Sequence, residues 1–395
     1  MFQNSTPKYL SLFSGCGGLD LGFSQAGLEG VLSADIDDAA LSVHSTNLKH
    51  PVIKLDLTKE LPAVDSSVEI DVLLAGSPCQ GFSTAGLRKV DDPRNSLLFV
   101  AAQVSEKLKP KVVVAENVPG ALSGEHKKYW ATLHEQLQAQ GYSTVDLHVN
   151  SADFGVAQRR KRIFLIAWCT GAISNFFLPK KPIVSLGDVL GNLDGVANHQ
   201  PIYLDRETDD YKIAVRIAPG QKLTNARSGC RVIHTWDIPE VFGSTTMQER
   251  DVLEHVLKLR RQDRRRDFGD ADPVCTKFLT KTYGRNVIES LVGKKYLRQV
   301  GEYHDLTGTF NGKFRRLEFA TQSRTVDTRF GDHRLFLHPL ENRGFTVREA
   351  ARIQGFPDQF LFSGTLTQQF RMIGNAVPPP LACSVAQLVR SLLNK

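Results

Sequence analysis

The sequence predicts an α/β protein: a doubly wound, Rossmann-like sheet with a second, smaller domain. Three observations predict it. Over residues 8–169, short apolar runs alternate with amphipathic stretches of helix length, the rhythm of a parallel sheet crossed by helices. Glycine-rich turns close two of the runs, "SGCGG" at 14–18 and "GSPCQG" at 76–81. From about residue 175 to about 335 the rhythm stops, and proline, glycine and basic residues punctuate the chain instead.

Taken in order, "YLSLF" (9–13) reads as a strand and "GLDLGFSQAG" (18–27) as a helix with a glycine stop. "GVLSADID" (30–37) is a second strand, "DAALSVHSTNL" (38–48) a second helix and "VIKLDL" (52–57) a third strand. "IDVLLAG" (70–76), "KVVVAENV" (111–118), "STVDLHVN" (143–150) and "RIFLIAWC" (162–169) are further strands. Between them lie the helical stretches "SLLFVAAQVSEKL" (96–108) and "YWATLHEQLQAQG" (129–141). In the middle region, Thr246 and Glu249 have the spacing of a capping box and open a helix. "RNVIESLV" (285–292) is a second helix, and the chain from Lys295 to Phe319 reads as a hairpin, together a winged-helix-like unit. "PLACSVAQLVRSLL" (380–393) closes the sequence as an amphipathic helix.

At 395 residues, 41% of them hydrophobic and 23% charged, the chain has the composition of a globular protein with a large core. No apolar segment is long enough to span a bilayer, and no secretory segment opens the sequence, so a cytoplasmic protein is expected. The six cysteines are scattered without a CxxC pair, which points to neither a disulfide framework nor a metal site. A net charge of +7 favours a polyanionic partner. Residues 250–266 concentrate that charge, with seven basic and three acidic side chains, either as a polyanion contact or as a solvated helix face.

Several residues sit where chemistry is done. Gly15, Gly17 and Gly18 permit a tight turn after the first strand, and Asp35 ends the second strand 20 residues after Gly15. An acid at that place accepts hydrogen bonds from ribose hydroxyls, which suits an adenosine-bearing cofactor. The spacing is GxGG rather than the phosphate-cradling GxGxxG, which disfavours a nicotinamide dinucleotide. Cys79 follows a proline just past the apolar run 72–75. It is either a structural turn residue or a nucleophile at the carboxyl edge of a sheet. Glu116 ends another apolar run, where a carboxylate is either paired or functional. In "QRRKR" (158–162), Arg160 and Arg162 share one face of an extended chain and Arg159 and Lys161 the other.

"FSGCGG", "GSPCQGFS", "ENV" and "QRRKR", followed by "FTVREAARIQGFP" (345–357) and "IGNAVPPPLA" (373–382), resemble the signature blocks of the C5-cytosine DNA methyltransferases of bacterial restriction–modification systems. The likeness covers residues 8–169 and 320–393. It implies S-adenosyl-L-methionine as cofactor, duplex DNA as partner, a cognate restriction endonuclease acting on the same site, and a monomer. It implies that Cys79 attacks C6 of a flipped cytosine, that Glu116 holds or protonates the base at N3, that Arg162 contacts its O2 side, and that Arg160 orders the site. Phe13, Gly15, Gly17, Gly18, Asp35, Ile36, Asp56, Leu57, Pro78, Asn375 and Ala376 would line the cofactor pocket. Gln80, Ser83, Arg88 and Thr325 would touch DNA.

The resemblance also implies a division of the chain. Residues 1–180, completed by 365–395, would form the catalytic domain, and 181–364, including the block at 345–357, the target-recognition domain. Three positions depart from the common pattern. Ser77 replaces a usual Phe or Pro, Asp35 a usual Glu, and Ile36 the aromatic that commonly follows that acid. Two alternatives share part of the pattern. A tRNA cytosine methyltransferase would carry a Cys-Phe-Thr motif, which does not occur here. A non-catalytic DNA-binding relative would have lost Cys79, Glu116, Arg160 or Arg162.

Overall fold

In chain order the elements are β1 (Lys8–Leu12), α1 (Gly18–Gln25), β2 (Glu29–Asp35), α2 (Asp38–Asn47), β3 (Val52–Lys54), β4 (Val72–Ala75), α3 (Val100–Leu108), β5 (Val112–Asn117), α4 (Lys127–Ala139), β6 (Ser143–Asn150), β7 (Lys161–Trp168) and α5 (Leu186–Val189). Then come α6 (Asp209–Arg216), β8 (Lys222–Leu223), β9 (Val232–Ile233), α7 (Pro239–Phe242), α8 (Met247–Gln262), β10 (Val274–Cys275), α9 (Thr276–Tyr283), α10 (Arg285–Gly293), β11 (Leu297–Val300) and β12 (Tyr303–Leu306). The last are β13 (Arg315–Arg316), β14 (Phe336–Leu337), α11 (Val347–Gln354), α12 (Leu366–Asn375) and α13 (Pro379–Leu393). This computed structural model describes residues 6–65, 67–78, 93–170, 176–262, 264–267 and 269–393.

Seven strands form the main sheet in the order β3-β2-β1-β4-β5-β7-β6. The chain leaves β1 in one direction to β2 and β3, then returns to place β4 and β5 on the other side. The strand order therefore reverses between β1 and β4, the switch point beside which open α/β sheets bind ligands. β1 to β5 are parallel. β7 runs antiparallel to both β5 and β6, where the sequence rhythm led us to expect parallel strands throughout. The reason is connection length. Residues 151–160 between β6 and β7 hold only a 3₁₀ turn, Ser151–Phe154, too little chain for a parallel crossover.

The sheet is covered on both faces, which is why β4 and β5 read as unbroken apolar runs. On one face Leu10, Leu73, Val113 and Leu165 pack with Val104 of α3 and Trp130, Leu133 and Leu137 of α4. On the other, Tyr9, Val72, Val114 and Phe164 pack with Phe23 of α1 and Leu381, Val385 and Val389 of α13. Fully burying each such side chain stabilises the fold by about 1.5–3 kcal/mol. A buried polar network stitches four elements beneath the first glycine turn. Asp20 of α1 accepts from Ser11 of β1 at 3.0 Å and from Ser33 of β2 at 2.7 Å. His44 of α2 lies 3.3 Å from the same carboxylate, and His50 lies 2.7 Å from the Ser33 hydroxyl. Burial alone would raise the Asp20 carboxyl, but the neighbouring His44 and His50 rings and the Ser33 hydroxyl hold it well below the usual carboxylate range.

Two compact units divide the chain: 1–200 with 320–329 and 347–395, and 201–319 with 330–346. The boundaries differ from the expected 1–180 plus 365–395 against 181–364. Residues 181–200, 320–329 and 347–364 belong to the unit that holds the large sheet, and hydrogen bonds show why. The Lys181 N–H donates to the Asp153 carbonyl at 2.8 Å, Gln354 of α11 donates to the Ile373 and Ala376 carbonyls at 3.0 and 2.6 Å, and Arg352 and Arg348 of α11 hold the Val189, Gly191, Asn192 and Ala197 carbonyls. Arg159 takes the carbonyl of Ser323 at 2.9 Å.

Within the second unit, α8, β10, α9, α10 and the β11–β12 hairpin follow one another in the order of a winged helix. They share one core, in which Val252, Leu253, Val256 and Leu257 of α8 meet Leu279 of α9, Ile288 and Leu291 of α10, and Leu297 and Leu306 of the hairpin. The expected capping box forms, with the Thr246 N–H donating to Glu249 at 2.7 Å and the Glu249 N–H to the Thr246 hydroxyl at 3.2 Å. The hairpin is shorter than expected, pairing Leu297–Val300 with Tyr303–Leu306. Gly301 sits at its tip with φ 59°, as a two-residue turn with glycine first requires. β10 adds a third strand beside β12, and α9 is a third helix that sequence periodicity did not reveal.

Candidate active site

All five parallel strands end on one edge of the sheet, and the turn after β1 opens the site there. Phe13 (φ 55°), Gly15 (φ 54°) and Gly17 (φ 92°) take left-handed backbone conformations. For Phe13 that conformation is strained, a feature that collects at functional turns. A Cβ on Gly17 would come within 2.7 Å of Leu48 and 2.8 Å of His44, so only glycine fits. Gly18 has a different reason: a Cβ there would meet the Val377 carbonyl at 2.5 Å and the Ala376 Cβ at 3.0 Å. Its bareness brings 376–377 against the turn. Asn375, the last residue of α12, is exposed beside it.

Asp35, at the end of β2, accepts the Gly15 N–H at 2.8 Å and the Asp37 N–H at 2.9 Å, one on each oxygen. Burial raises its carboxyl above the ordinary value, against those backbone bonds. Ile36, next in line, is 60% exposed, unusual for so large an apolar side chain. Asp56, just past β3, is occupied locally. It pairs with Lys59 at 2.8 Å and accepts the Thr58 hydroxyl at 2.6 Å, and these contacts lower its carboxyl to about 2. Leu57 is packed in the core.

The other half of the site lies across the switch point. β4 runs into Gly76, Ser77 and Pro78; Cys79, Gln80, Ser83 and Arg88 fall within 79–92, outside the described residues. The described end of that turn is anchored by Asn117, whose side-chain amide donates to the Ser77 carbonyl at 3.4 Å. Glu116, one residue earlier on β5, is buried and lies 2.7 Å from the Arg162 guanidinium. Because β7 is antiparallel, its first residues arrive at the edge where β5 ends, and this brings Arg162 to Glu116. Burial pushes the Glu116 carboxyl above its ordinary value, while the charges of Arg162 and Arg160 oppose the shift.

Arg160 is buried and donates to the carbonyls of Val326 at 3.0 Å and Gly374 at 2.8 Å. Arg159 and Lys161 are exposed on the opposite side, the alternation expected from the sequence. Thr325 donates to the Arg159 carbonyl at 3.1 Å.

Three polar residues were not singled out in the sequence. Asn117 anchors the Ser77 turn. Gln158 accepts the Val326 N–H at 3.0 Å and donates to Gln354. Gln354 in turn donates to the Ile373 and Ala376 carbonyls at 3.0 and 2.6 Å. Each stands inside one of the quoted blocks, and that position was the available signal.

The sequence profile of the C-5 cytosine-specific DNA methylases matches residues 8–390. The type II methyltransferase M.XorII of Xanthomonas oryzae pv. oryzae is 32% identical, over 98% of this chain and 86% of its own. M.NgoPII of Neisseria gonorrhoeae, also a type II methyltransferase, is 30% identical over 100% of both. Among solved structures, a DNA modification methyltransferase encoded within an E. coli prophage shares the fold. Its TM-score is 0.61 at 24% identity, covering 99% of this chain and 100% of that one. With a family match over nearly its whole length and a Rossmann-like sheet of the same kind, this chain belongs to the C-5 cytosine-specific DNA methylases.

Proposed function

We propose that this protein methylates C5 of a flipped cytosine in a specific duplex DNA sequence, through a covalent bond from Cys79 to C6 of the base. Its relatives are named as type II methyltransferases, so the proposed setting is restriction–modification, with an endonuclease acting on the same site. The observation that carries the reading is the buried Glu116–Arg162 pair, 2.7 Å apart, at the sheet edge where β4 ends.

The turn after β1 fits S-adenosyl-L-methionine. A Cβ on Gly15 would meet nothing within 4 Å, so open space lies over the loop. Asp35 keeps lone pairs for ribose hydroxyls beyond the two N–H bonds it accepts. Phe13, Ile36, Asp56, Asn375 and Ala376 are proposed to line the same pocket. When bound, the cofactor supplies an electrophilic methyl group.

The chain's own residues do the rest. C5 of cytosine is a poor nucleophile, so the Cys79 thiolate first adds to C6, and the ring becomes an enamine with electron density on C5. Glu116, whose carboxyl burial shifts towards the protonated form, gives a proton or hydrogen bond to N3 as the ring accepts charge. Arg162 holds the O2 side and favours the thiolate. After C5 takes the methyl group, loss of the C5 proton and expulsion of the thiolate restore the aromatic ring. The target base must leave the duplex to reach these groups. The second unit, 201–319 with 330–346, is proposed to read the surrounding sequence.

Bisulfite sequencing of plasmid DNA from cells making the protein tests this reading. Protected cytosines should appear in one sequence context with the native chain and vanish with Cys79→Ala, which should still bind DNA and cofactor. Near-normal protection by Cys79→Ala would overturn the covalent route.

A further inference from the structure

We infer that the winged-helix-like part of the second unit is a duplex-DNA reading head, with α10 as the helix that enters the major groove. This rests on the proposed DNA-methylating function and adds to it the element and side chains that make contact. Topology gives the first argument. α9 and α10 are joined through Gly284 alone, at φ 87°. In helix-turn-helix modules it is the second of two such helices that lies in the groove. α10 buries Ile288 and Leu291 in the core and leaves Arg285, Asn286 and Glu289 exposed on its other side. Arginine and asparagine are the side chains that make two-pronged contacts to guanine and adenine edges.

Charge gives the second argument and selects the partner. Residues 276–300 hold six lysines and arginines against one acid, Glu289, and all six are exposed. Two are used internally: Lys294 on Glu249 at 2.8 Å and Arg298 on Asp305 at 3.1 Å. Lys277, Lys281, Arg285 and Lys295 have no acidic partner among the described residues. The run Arg264–Arg266, the longest basic run of the second unit, is spent otherwise. Arg266 binds Asp272 at 2.5 Å, Arg264 lies 3.6 Å from it, and Arg265 stacks over Tyr303 at 3.7 Å. The hairpin tip carries Glu302, the wrong sign for phosphate, so the helix rather than the wing is the reader.

Rigidity gives the third. Glu249 accepts from the Ser290 hydroxyl at 2.7 Å as well as from Lys294, so α10 is pinned to the start of α8. A fixed helix loses little freedom on docking.

The test uses the full-length protein and fluorescence anisotropy on duplexes carrying the site mapped by bisulfite sequencing, or a one-base change of it. Arg285→Ala and Asn286→Ala should reduce discrimination between the two duplexes by about 5- to 100-fold. Lys277→Gln with Lys281→Gln should weaken both duplexes alike and lower the salt slope by about 2. Thermal unfolding establishes that each variant is folded. Native-like discrimination and salt slope in all of them would overturn the proposal, even where methylation proceeds normally. If the native protein methylates nothing, the salt-slope arm still decides the surface, because it needs only a duplex of any sequence.

Discussion

Burial and charge act on Glu116 in opposite senses, and burial wins. A carboxyl whose value in the folded protein lies above its ordinary 4.5 favours the fold most when protonated. That contribution is complete below the ordinary value and is lost as pH rises through the folded one. In the proposed mechanism the same shift favours the protonated form that serves N3. Glu116→Gln should therefore slow methyl transfer by about 10²–10⁴-fold and abolish the fall of the single-turnover rate with rising pH that titration of Glu116 imposes. An unchanged pH profile would remove Glu116 from the chemistry. At this scale the sequence was informative where neighbours decide the outcome. The alternation of Arg159, Arg160, Lys161 and Arg162 followed from a period of two. Gln158 was silent because its partners, Val326 and Gln354, lie 168 and 196 residues away.

Elements meet in the Asp20 network, where β1, β2, α1 and α2 converge on one carboxylate. Asp20 is the mirror case of Glu116. Its carboxyl is held below the ordinary 3.8, so its contribution is present above that value and is lost as pH falls through the folded one. Asp20→Asn should destabilise the protein by about 3–5 kcal/mol at neutral pH, the cost of breaking a buried pair. Urea unfolding should show the gap to the native protein narrowing as pH falls towards the native carboxyl's value. A constant gap would mean that the carboxylate's charge plays no part. The main strands and helices were legible from period and glycine stops, but two features were not. α9 is short and has no capping side chain at Cys275, so nothing local announces it. β7 reverses direction because of a short connection, which apolar patterning does not register.

For the molecule as a whole, the strongest test needs cofactor pocket, nucleophile and flipped base at once. Fluorine at C5 of the target cytosine cannot leave as a cation, so methylation should end in a stable protein–DNA bond. That bond should form only with S-adenosyl-L-methionine present, and peptide mapping should place it on Cys79. Cys16 is a poor competitor, because it is buried and burial pushes its thiol up to about 12. An adduct on any other cysteine would overturn the site, and no adduct from a protein that binds both partners would overturn the route. The division of the chain was legible only in outline. The segments 181–200, 320–329 and 347–364 join the first unit through bonds such as Lys181 to Asp153, Arg159 to Ser323 and Gln354 to Ile373, whose partners are set by the fold.

The pairing of α1 with α13 has a consequence for how the protein is made. Gly22 lies so near α13 that a Cβ would come within 2.3 Å of Ala382, and Arg390 donates to the Ala26 carbonyl across 364 residues of chain. A ribosome adding about 5–20 residues per second leaves α1 without that partner for roughly 20–70 s. Throughout that interval the face of the sheet around Tyr9, Val72 and Val114 lacks the cover of α13, leaving apolar surface of the kind that recruits chaperones or aggregates. The core on this face of the sheet therefore cannot close until translation has passed α13. A circular permutant that begins with α13 would shorten the wait to seconds.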